Sequence, residues 1–589
     1  MSDIAITDLP DIMTSPTLTI ECDSDTKKFR IIGGTYMHRD RVSSIPGSRF
    51  VGKGMDYWTI PRTWPAVKVF ARLFEGTINW SADAAQWAND YWTGIIEPSL
   101  ELRNVGAKPE WVEAIGANLP PGIMTKDYQV AGALYLATAR RAMLFDEQGT
   151  GKMTQTALTL SLYPDSIPAL IICPKGVVYT WKGELARFGL KSVVVDGSAV
   201  QRRKQFEEFQ SGDIPVLIIS YGLMAKHSRV SGYGPIKLTE DQKQSKELQE
   251  TAWATVVADE IHRIKEPSAV QTRACWAVRD QATYIWGLTG TPIENNVMDM
   301  WSLLHFIDPN EWPSKVKFLD LWVMTAPNYF GGIEILGLRP DVEDEFRDVT
   351  EWHWRRQLKS ADLPPVAYDI RYTELTGKPA TAYKNMKKQL MAELDSDGSF
   401  DTLFAENHMV KSGRLKMFAS ATAVIGEDDK VHLVEPSWKL DLVQDTMQDY
   451  VGQPTIYWFD NRDLLHLWEK RLEKMELPYV SVHGDITGQD RFENIERFQN
   501  GDVDHILVTY GAGAEGTTLT RAPVAFRVQR PWSYIKDSQA PFRNLRIGSE
   551  IHDVITYVDF VTRDTVEEDV FVRLDIKERA SQEVLRDSQ

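Results

Sequence analysis

The stretch that most constrains the fold runs from Ala142 to Leu160 and reads AMLFDEQGTGKMTQTALTL. The four apolar residues at its start predict a buried strand, and its last seven residues predict a helix. The glycines between them are typical of a phosphate-binding loop, because glycines let backbone N–H groups close around a phosphate. Lys152 would then reach the β and γ phosphates. A glycine loop beside a lysine also occurs by chance, so this interpretation depends on the rest of the chain.

Further apolar runs follow the loop, and they read ALIICP, VLIISY, TVVAD and YIWGL. Continuous apolar strands that alternate with helices predict a parallel sheet covered on both faces. Asp259 and Glu260 come at the end of the third run, and Thr289 and Gly290 follow the fourth. A carboxylate at a strand end can hold Mg²⁺, and its neighbour can orient or deprotonate an attacking water. Two solvated carboxylates at a loop start are the alternative, which the preceding G-x-G-K loop weakens.

The composition excludes several classes of protein. A chain of 589 residues is too long for one hydrophobic core and should hold roughly three or four domains. Its three cysteines lie far apart, which argues for a reducing cytosol and against a disulfide framework or a zinc site. No apolar run reaches the ~18 residues that a membrane span needs. The net charge of −17 is unlike that of a passive nucleic-acid coat.

One local stretch reverses this acidic balance. Between Lys27 and Lys53, seven Lys or Arg residues stand against a single acidic residue, Asp40. The β-rich runs from residue 17 to residue 51 predict a small antiparallel sheet. A solvated edge strand explains such basic residues without any ligand, and a nucleic-acid contact is the functional alternative. The candidate contact residues are Arg30, Arg39, Arg41 and Arg49.

Taken together, these motifs resemble those of the superfamily-two helicases, and most closely the Swi/Snf-type DNA translocases. The resemblance covers about residues 120–580, and the motifs follow the family's order. In the first half they are Tyr128-Gln129 with Gly132, DEQGTGK, ICPKGVVYTWKGELARF with Trp181 and Glu184, D-E-I-H, GLTGTPIENN, and Trp354-Arg355-Arg356 followed by L-P-P.

The second half continues the same pattern. Its motifs are SWKL, TIYWFDNRDLLHLWEKRL, YVSVHG, HILVTYGAGAEGTTLTRA, and Gln539-Ala540 with Arg543, Arg546, Ile547 and Gly548. Because Arg543 and Arg546 are three residues apart, we expect them to lie on one face of a helix. In the resembling family such arginines reach the γ-phosphate of ATP bound on the first lobe.

The resemblance implies an α/β fold. It consists of two RecA-like parallel-sheet lobes with an ATP cleft between them, a small N-terminal α+β accessory domain, and a helical inter-lobe insertion. The implied boundaries are residues 1–117 for the accessory domain, 118–309 for the first lobe, 310–436 for the insertion, and 437–589 for the second lobe with a C-terminal brace.

The resemblance also implies ATP and Mg²⁺ as cofactors. The catalytic residues would be Lys152, Asp259, Glu260, Arg543 and Arg546, with Asp259 as the metal ligand. The nucleotide contacts would be Gln129, Gly149, Thr150, Gly151, Lys152, Met153, Thr154, Gly513, Glu515 and Gly516. In the two lobes, the DNA contacts would be Lys175, Thr289, Gly290 and Thr518.

Met153 departs from the family pattern, in which a threonine or serine follows the lysine and its hydroxyl binds Mg²⁺. A thioether is a poor ligand for a hard cation. Thr154 follows at once, but one residue along a helix turns the side chain by about 100°, so it should not simply substitute. Asp259 and water would then hold the metal.

The expected activity is that of a DNA-dependent ATPase, a translocase or helicase acting on duplex, forked or branched DNA in replication, recombination or repair. Residues 45–50 and 56–61 weakly resemble the HARP module of annealing helicases, which would direct the basic stretch to DNA junctions. We further expect a monomer in a bacterial or phage-infected cytoplasm, with no membrane contact. Single-strand-binding or replication proteins are the expected protein partners.

Two alternatives stay open. One is an RNA helicase of the same superfamily, against which the Arg-Arg and L-P-P segment and the long inter-lobe insertion argue. The other is a scaffold that binds ATP or DNA without hydrolysis, which Met153 motivates.

Overall fold

Two parallel sheets dominate the computed structural model, and the chain divides into two compact units. One unit comprises residues 1–358 with 580–589, and the other comprises residues 359–579. The structure describes the whole chain except residues 1–17, 25, 34–37, 46, 53–56, 75–77, 295, 328–332, 358–362, 397–412, 426–430, 487, 514–517, 541–542, 547 and 586–589.

The first unit contains a small N-terminal sheet, a seven-stranded sheet and a two-stranded hairpin. Its strands are β1 (Leu18–Cys22), β2 (Lys28–Ile32), β3 (Arg49–Val51), β4 (Tyr57–Pro61), β5 (Ile78–Trp80), β6 (Arg141–Leu144), β7 (Ala169–Cys173), β8 (Ser192–Val195), β9 (Val216–Ser220), β10 (Thr255–Asp259), β11 (Tyr284–Leu288), β12 (Val323–Pro327), β13 (Ile333–Leu338) and β14 (Trp354–Arg355).

The helices of the first unit cover these sheets. They are α1 (Arg39–Ser44), α2 (Trp64–Leu73), α3 (Ala82–Tyr91), α4 (Glu97–Asn104), α5 (Pro109–Ala117), α6 (Asp127–Ala139), α7 (Lys152–Leu162), α8 (Val178–Arg187), α9 (Ala199–Gln210), α10 (Tyr221–His227), α11 (Glu240–Lys243), α12 (Val270–Arg279), α13 (Met298–Ile307), α14 (Lys315–Trp322) and α15 (Glu343–Thr350). A π-helical turn, Trp92–Ile96, joins α3 to α4.

The large sheet of the first unit has the strand order β14-β6-β11-β10-β7-β9-β8, and all its pairs are parallel. Successive residues of β6 and β7 enter two different apolar clusters, so the sheet is buried on both faces. This burial on both faces explains the continuous apolar runs that the sequence shows.

The N-terminal sheet has the order β3-β4-β2-β1-β5. Its pairs are antiparallel except β1 with β5, which is parallel because α2 crosses between β4 and β5. The predicted small antiparallel sheet is therefore present with one added parallel strand. The buried tryptophans Trp58 of β4 and Trp64 of α2 belong to the same apolar cluster as residues of β6 and β7.

The second unit holds a six-stranded parallel sheet and a second hairpin. Its strands are β15 (Val366–Glu374), β16 (Thr422–Ile425), β17 (Val431–Val434), β18 (Thr455–Phe459), β19 (Tyr479–Val482), β20 (His505–Thr509), β21 (Val524–Arg527) and β22 (Ile555–Arg563). The strand order of the sheet is β15-β22-β21-β18-β20-β19.

Helices cover this sheet as well. They are α16 (Gly377–Ser396), α17 (described over 413–420), α18 (Trp438–Met447), α19 (Arg462–Lys474), α20 (Gly488–Asn500), α21 (Tyr510–Gly513), α22 (Tyr534–Gln539) and α23 (Val566–Leu585). The predicted α/β fold with two parallel-sheet lobes and a small N-terminal region is confirmed. None of the helices in the described part of the chain is long and apolar enough to cross a membrane.

The segment predicted as a helical insertion, 310–436, is more mixed than expected. It holds α14, α15, α16 and α17 but also both hairpins, and it supplies β14 to the first sheet and β15 to the second. The four domain boundaries drawn from the sequence stay predictions.

His305 offers a test of packing inside the first unit. Its ring stacks on Trp301, and its Nδ1 donates to the Trp312 carbonyl over 2.7 Å. Burial, aided by Arg279, lowers the pKa of His305 to about 4. As the pH falls from about 6.5 towards 4, the unfolded state therefore takes up a proton that the folded state refuses, and stability is lost.

We expect the wild-type protein to lose up to about 2 kcal/mol more stability than a His305→Gln variant between about pH 7 and pH 5. Urea unfolding of both proteins at the two pH values measures this difference. Equal losses would show that His305 is not held neutral in the folded state.

Candidate nucleotide-binding site

The register of three neighbouring strands explains why distant polar residues meet at one edge of the first sheet. Asp259 of β10 pairs with Leu288 of β11, and Leu288 pairs with Leu144 of β6. The three strands therefore end in one row, and the segments that follow them leave the sheet side by side. In parallel sheets, such carboxyl ends are where ligands bind.

The loop after β6 has the backbone shape that its glycines predict. Gly149 and Gly151 take φ values of +88° and +82°, a region that residues with a Cβ rarely adopt. Lys152 then begins α7, so the first N–H groups of the helix face the loop. The Thr150 hydroxyl donates to the Glu147 carbonyl over 2.7 Å and fixes the turn before them.

Gln129, on α6, contacts this loop directly. Its Nε2 donates to the Thr150 carbonyl over 3.1 Å, and its Oε1 accepts from the Lys126 N–H over 3.0 Å. A Cβ at Gly151 would collide with the Gln129 amide. The glutamine that the resemblance places among the nucleotide contacts therefore also supports the loop.

The ammonium group of Lys152 lies beside the same loop. It donates to the carbonyl oxygens of Asp146 and Glu147 over 2.6 and 3.1 Å. Burial lowers the pKa of Lys152, and the carboxylates of Glu260, Asp146 and Asp259 oppose that shift. A cation thus stands between the loop and the carboxylates at the end of β10.

Asp146 connects the loop to two other elements. It is fully buried, and Arg355 NH1 of β14 donates to its Oδ2 over 3.0 Å. Gln155 Nε2 of α7 donates to the same oxygen over 2.9 Å, and the Gln357 N–H donates to Oδ1 over 2.8 Å. Helix α7 and the segment from Arg355 to Gln357 therefore converge on one carboxylate.

The two carboxylates at the end of β10 differ in their surroundings. Trp181 Nε1, on α8, donates to Asp259 Oδ2 over 2.8 Å, and the Tyr221 hydroxyl donates to the Asp259 carbonyl over 2.8 Å. Burial, together with the neighbouring Glu260 carboxylate, raises the pKa of Asp259 to about 7. Burial and the nearby Glu260 thus disfavour the charged form of the Asp259 carboxyl.

Glu260 occupies a left-handed backbone conformation, with φ +52°, and such strain in a residue with a Cβ is typical of functional positions. Its Oε2 lies 3.4 Å from His262 Nδ1, which is 2.9 Å from the Thr289 hydroxyl. Burial lowers the pKa of His262 to about 4. A neutral histidine therefore links the carboxylate after β10 to the turn after β11.

Gly290, in the turn after β11, lies against the loop that follows β6. A Cβ there would come within 2.9 Å of Gln148 Cγ. Its carbonyl accepts from Arg356 NH1 over 3.4 Å. The predicted DNA contacts Thr289 and Gly290 are therefore adjacent to the predicted nucleotide site, while Lys175 is exposed in the turn after β7.

Met153 and Thr154 decide how a metal ion could be held. Met153 packs against the apolar cluster on one face of the first sheet. The Thr154 hydroxyl donates to Glu184 Oε1 of α8 over 2.5 Å, so it is already engaged. Asp259, with its raised pKa, and Glu260, whose Oε2 is buried without a hydrogen-bond partner among the described residues, are left as hard oxygen donors. These two carboxylates fit Mg²⁺.

The remaining nucleotide contacts predicted from the sequence lie in the second unit. Gly513 ends α21, and a Cβ there would collide with Trp458 and Val508, so close packing already requires a glycine. Thr518 is half-buried, and Glu515 and Gly516 fall outside the described residues.

The prediction that Arg543 and Arg546 share a helix is wrong. Helix α22 ends at Gln539, and both arginines follow in a segment of turns. The Arg543 carbonyl instead accepts from the Leu519 N–H over 2.7 Å.

The N-terminal arginines divide into two groups. Arg30 and Arg49 both lie opposite Thr59 of β4, so they share one face of the small sheet. Arg30 also pairs with Asp23 over 2.8 Å. Arg41 stacks over Phe74 at 4.7 Å, whereas Arg39 is 3.5 Å from Asp40 and largely exposed. The sheet thus aligns Arg30 with Arg49 and leaves Arg39 and Arg41 on α1.

Two models of known protein families match this chain. The family model described as SNF2-related domain matches residues 77–420, and the helicase conserved C-terminal domain matches residues 438–548. The first match alone covers more than half of the chain. The chain belongs to the SNF2-related family.

Curated relatives of this SNF2-related protein share about a quarter of its residues. A chromodomain-helicase-DNA-binding protein 1-like of Danio rerio is 27% identical over 496 residues, which are 79% of this chain and 44% of the relative. The DNA excision repair protein CSB of Oryza sativa subsp. japonica is 26% identical over 514 residues, which are 80% of this chain and 42% of the relative. The chain thus spans less than half the length of these relatives.

A solved structure also matches most of this chain, at low sequence identity. It is titled Sulfolobus solfataricus SWI2/SNF2 ATPase core in complex with dsDNA, and it is 22% identical. The match covers 80% of this chain and 94% of that one, with a TM-score of 0.36.

Two site residues received no role from the sequence. Asp146 stands in the DEQGTGK motif, and its position directly after the apolar strand was the available signal of a buried polar group. Trp181 stood in a family-like place, but only the fold shows that its indole reaches Asp259 across 78 residues of sequence.

The ion pair of Arg355 with Asp146 gives a stability test for this SNF2-related protein. We expect Arg355→Leu to lower the free energy of unfolding of the first unit by about 3–5 kcal/mol, because it leaves a buried carboxylate unpaired. Urea unfolding measures the change. Arg203→Ala, which removes a surface arginine paired with Glu207, is the matched control and should cost less than about 1 kcal/mol. Equal shifts in the two variants would contradict this account of Asp146.

Proposed function

We propose that this SNF2-related protein is an ATP-dependent DNA translocase that moves along duplex or branched DNA. The observation that carries the proposal is the meeting of the Gly149–Lys152 loop with Asp259 and Glu260 in one row of strand ends. A phosphate-binding loop beside a pair of carboxylates is the arrangement that nucleotide hydrolysis needs.

In this proposal the groups of the first unit divide the chemistry among them. The loop N–H groups and Lys152 bind the phosphates, which requires the ammonium to leave the carbonyls that it now contacts. Asp259 would hold Mg²⁺, which would supply positive charge to the phosphate oxygens. Glu260 orients the attacking water, and its strained backbone fixes the direction of its side chain.

The second unit contributes Arg543 and Arg546 to this proposal. An arginine supplied to the transferring phosphate is typically worth about 10³–10⁵ in rate. DNA contacts to the backbone carry little sequence information, so we expect weak base specificity.

The N-terminal sheet is proposed to bind DNA where strands branch. The shared face of Arg30 and Arg49 supports this assignment, and the ring of Phe50, 49% exposed, lies on the opposite face of β3. Arginines bind phosphates, and an exposed aromatic ring can stack on an unpaired base.

The test is ATP turnover by the full chain without nucleic acid and with duplex DNA, forked DNA or RNA. We expect strong stimulation by DNA, strongest on forks, and none by RNA. Lys152→Ala should lower the stimulated rate by about a hundredfold or more, because a charge that stabilises the transferring phosphate is lost.

Each of the other outcomes would support one of the two alternative functions. Stimulation by RNA alone would indicate an RNA helicase. Turnover no higher than that of Lys152→Ala on every nucleic acid would indicate a scaffold without hydrolysis. In that case Met153→Thr, which restores a hydroxyl at the family position, tests whether the methionine is the cause, with Thr154→Val as its matched control.

A further inference from the structure

We infer that His466, His483 and Asp485 form a binding site for Zn²⁺ or a chemically similar transition-metal ion, far in sequence from the nucleotide site. His466 lies on α19, and His483 and Asp485 follow the end of β19. One ligand atom from each residue lies within 4.8 Å of the others. The two imidazole rings are 5.1 Å apart and nearly perpendicular.

His483 provides the observation that points to a ligand. Its side chain is about nine-tenths buried, and its Nδ1 has no hydrogen-bond partner among the residues that the structure describes. Asp485 Oδ2 lies 3.8 Å from that nitrogen, which is too far for a hydrogen bond. Ligand atoms about 2.1 Å from a common tetrahedral ion lie roughly 3.4 Å apart, so a small movement closes the site.

A second layer of hydrogen bonds orients His466. Its Nδ1 is 2.7 Å from Glu469 Oε2, and the Ser481 hydroxyl donates to Glu469 Oε1 over 2.5 Å. A carboxylate that accepts from one nitrogen of an imidazole fixes the tautomer and leaves the other nitrogen free to bind a metal. Metal-binding histidines commonly carry this carboxylate partner.

Asp485 is available at small cost. Its present partner is Arg462, which donates to Oδ1 over 2.6 Å, and both side chains are more than half exposed. An exposed ion pair of this kind contributes little stability. A dication can therefore displace the arginine from one carboxylate oxygen.

The donor set selects the class of metal. Two imidazoles and one carboxylate suit Zn²⁺, Ni²⁺ or Cu²⁺, whereas Mg²⁺ prefers oxygen ligands alone. Three protein ligands leave a fourth position for water. The sequence argued against a zinc site because it lacks paired cysteines and a Cys/His cluster, but here the ligands come from a helix and a strand end that only the fold brings together.

The proposal does not depend on ATP binding, and its test needs no activity. The full chain is treated with a chelator, and Zn²⁺ is titrated in competition with a chromophoric chelator. We expect one high-affinity Zn²⁺ per chain and a higher unfolding temperature when it is bound, because a ligand of the folded state stabilises it. Mg²⁺ in place of Zn²⁺ should give no such shift.

Variants locate the site. His483→Gln and His466→Ala should each weaken Zn²⁺ binding at least about tenfold and abolish the thermal shift. His432→Ala, which removes another partly exposed histidine beside a carboxylate of the same unit, is the matched control and should bind Zn²⁺ like the wild type. If His483→Gln does not fold, the more exposed His466 still provides the test.

Binding that survives in both His466→Ala and His483→Gln would overturn the proposal, as would the absence of any high-affinity Zn²⁺ in the wild type. Loss of binding in His432→Ala to the same extent would also overturn it, because the ion would then lie elsewhere.

Discussion

The candidate site depends on the ion pair and the hydrogen bonds that the buried carboxylate of Asp146 makes. A charge inside a protein is costly unless it is paired and hydrogen-bonded, and Asp146 receives donors from β14, from α7 and from the backbone at Gln357. These donors fix the start of the Gly149–Lys152 loop relative to the sheet. A short strand, β14, thereby contributes to the loop although some two hundred residues separate them in sequence.

The site contains a lysine charge that hydrogen bonds hold in place and a carboxyl group whose charged form burial disfavours. Lys152 is held by carbonyl oxygens of its own loop, while burial raises the pKa of Asp259, whose carboxylate accepts from the uncharged indole of Trp181. Polar groups arranged in advance, with no reorganisation during the reaction, are what electrostatic catalysis requires. The fully paired Asp146 is suited to supporting the loop, whereas the carboxylates after β10 are suited to binding a cation.

Much of this could be predicted from the sequence, for identifiable reasons. Continuous apolar runs mark strands buried on both faces, and glycines at 149 and 151 mark positive φ, because each pattern has one physical cause. The helix expected at Arg543 and Arg546 was wrong because the Arg543 carbonyl accepts from the Leu519 N–H, a contact that residue spacing does not reveal. The hydrogen bond from Trp181 to Asp259 could not be predicted from the sequence, because tertiary contacts between separate segments leave no local pattern.

The central claim is that the loop from Gly149 to Lys152 binds ATP while Met153 stays packed in the apolar cluster and Asp259 holds the metal. A crystal structure of the full chain with a non-hydrolysable ATP analogue and Mg²⁺ tests it most directly. We predict phosphates on the loop N–H groups, Lys152 moved from the carbonyls to the phosphates, and Mg²⁺ bound by Asp259 and water. A nucleotide bound elsewhere, or a metal with no contact to Asp259, would contradict the account.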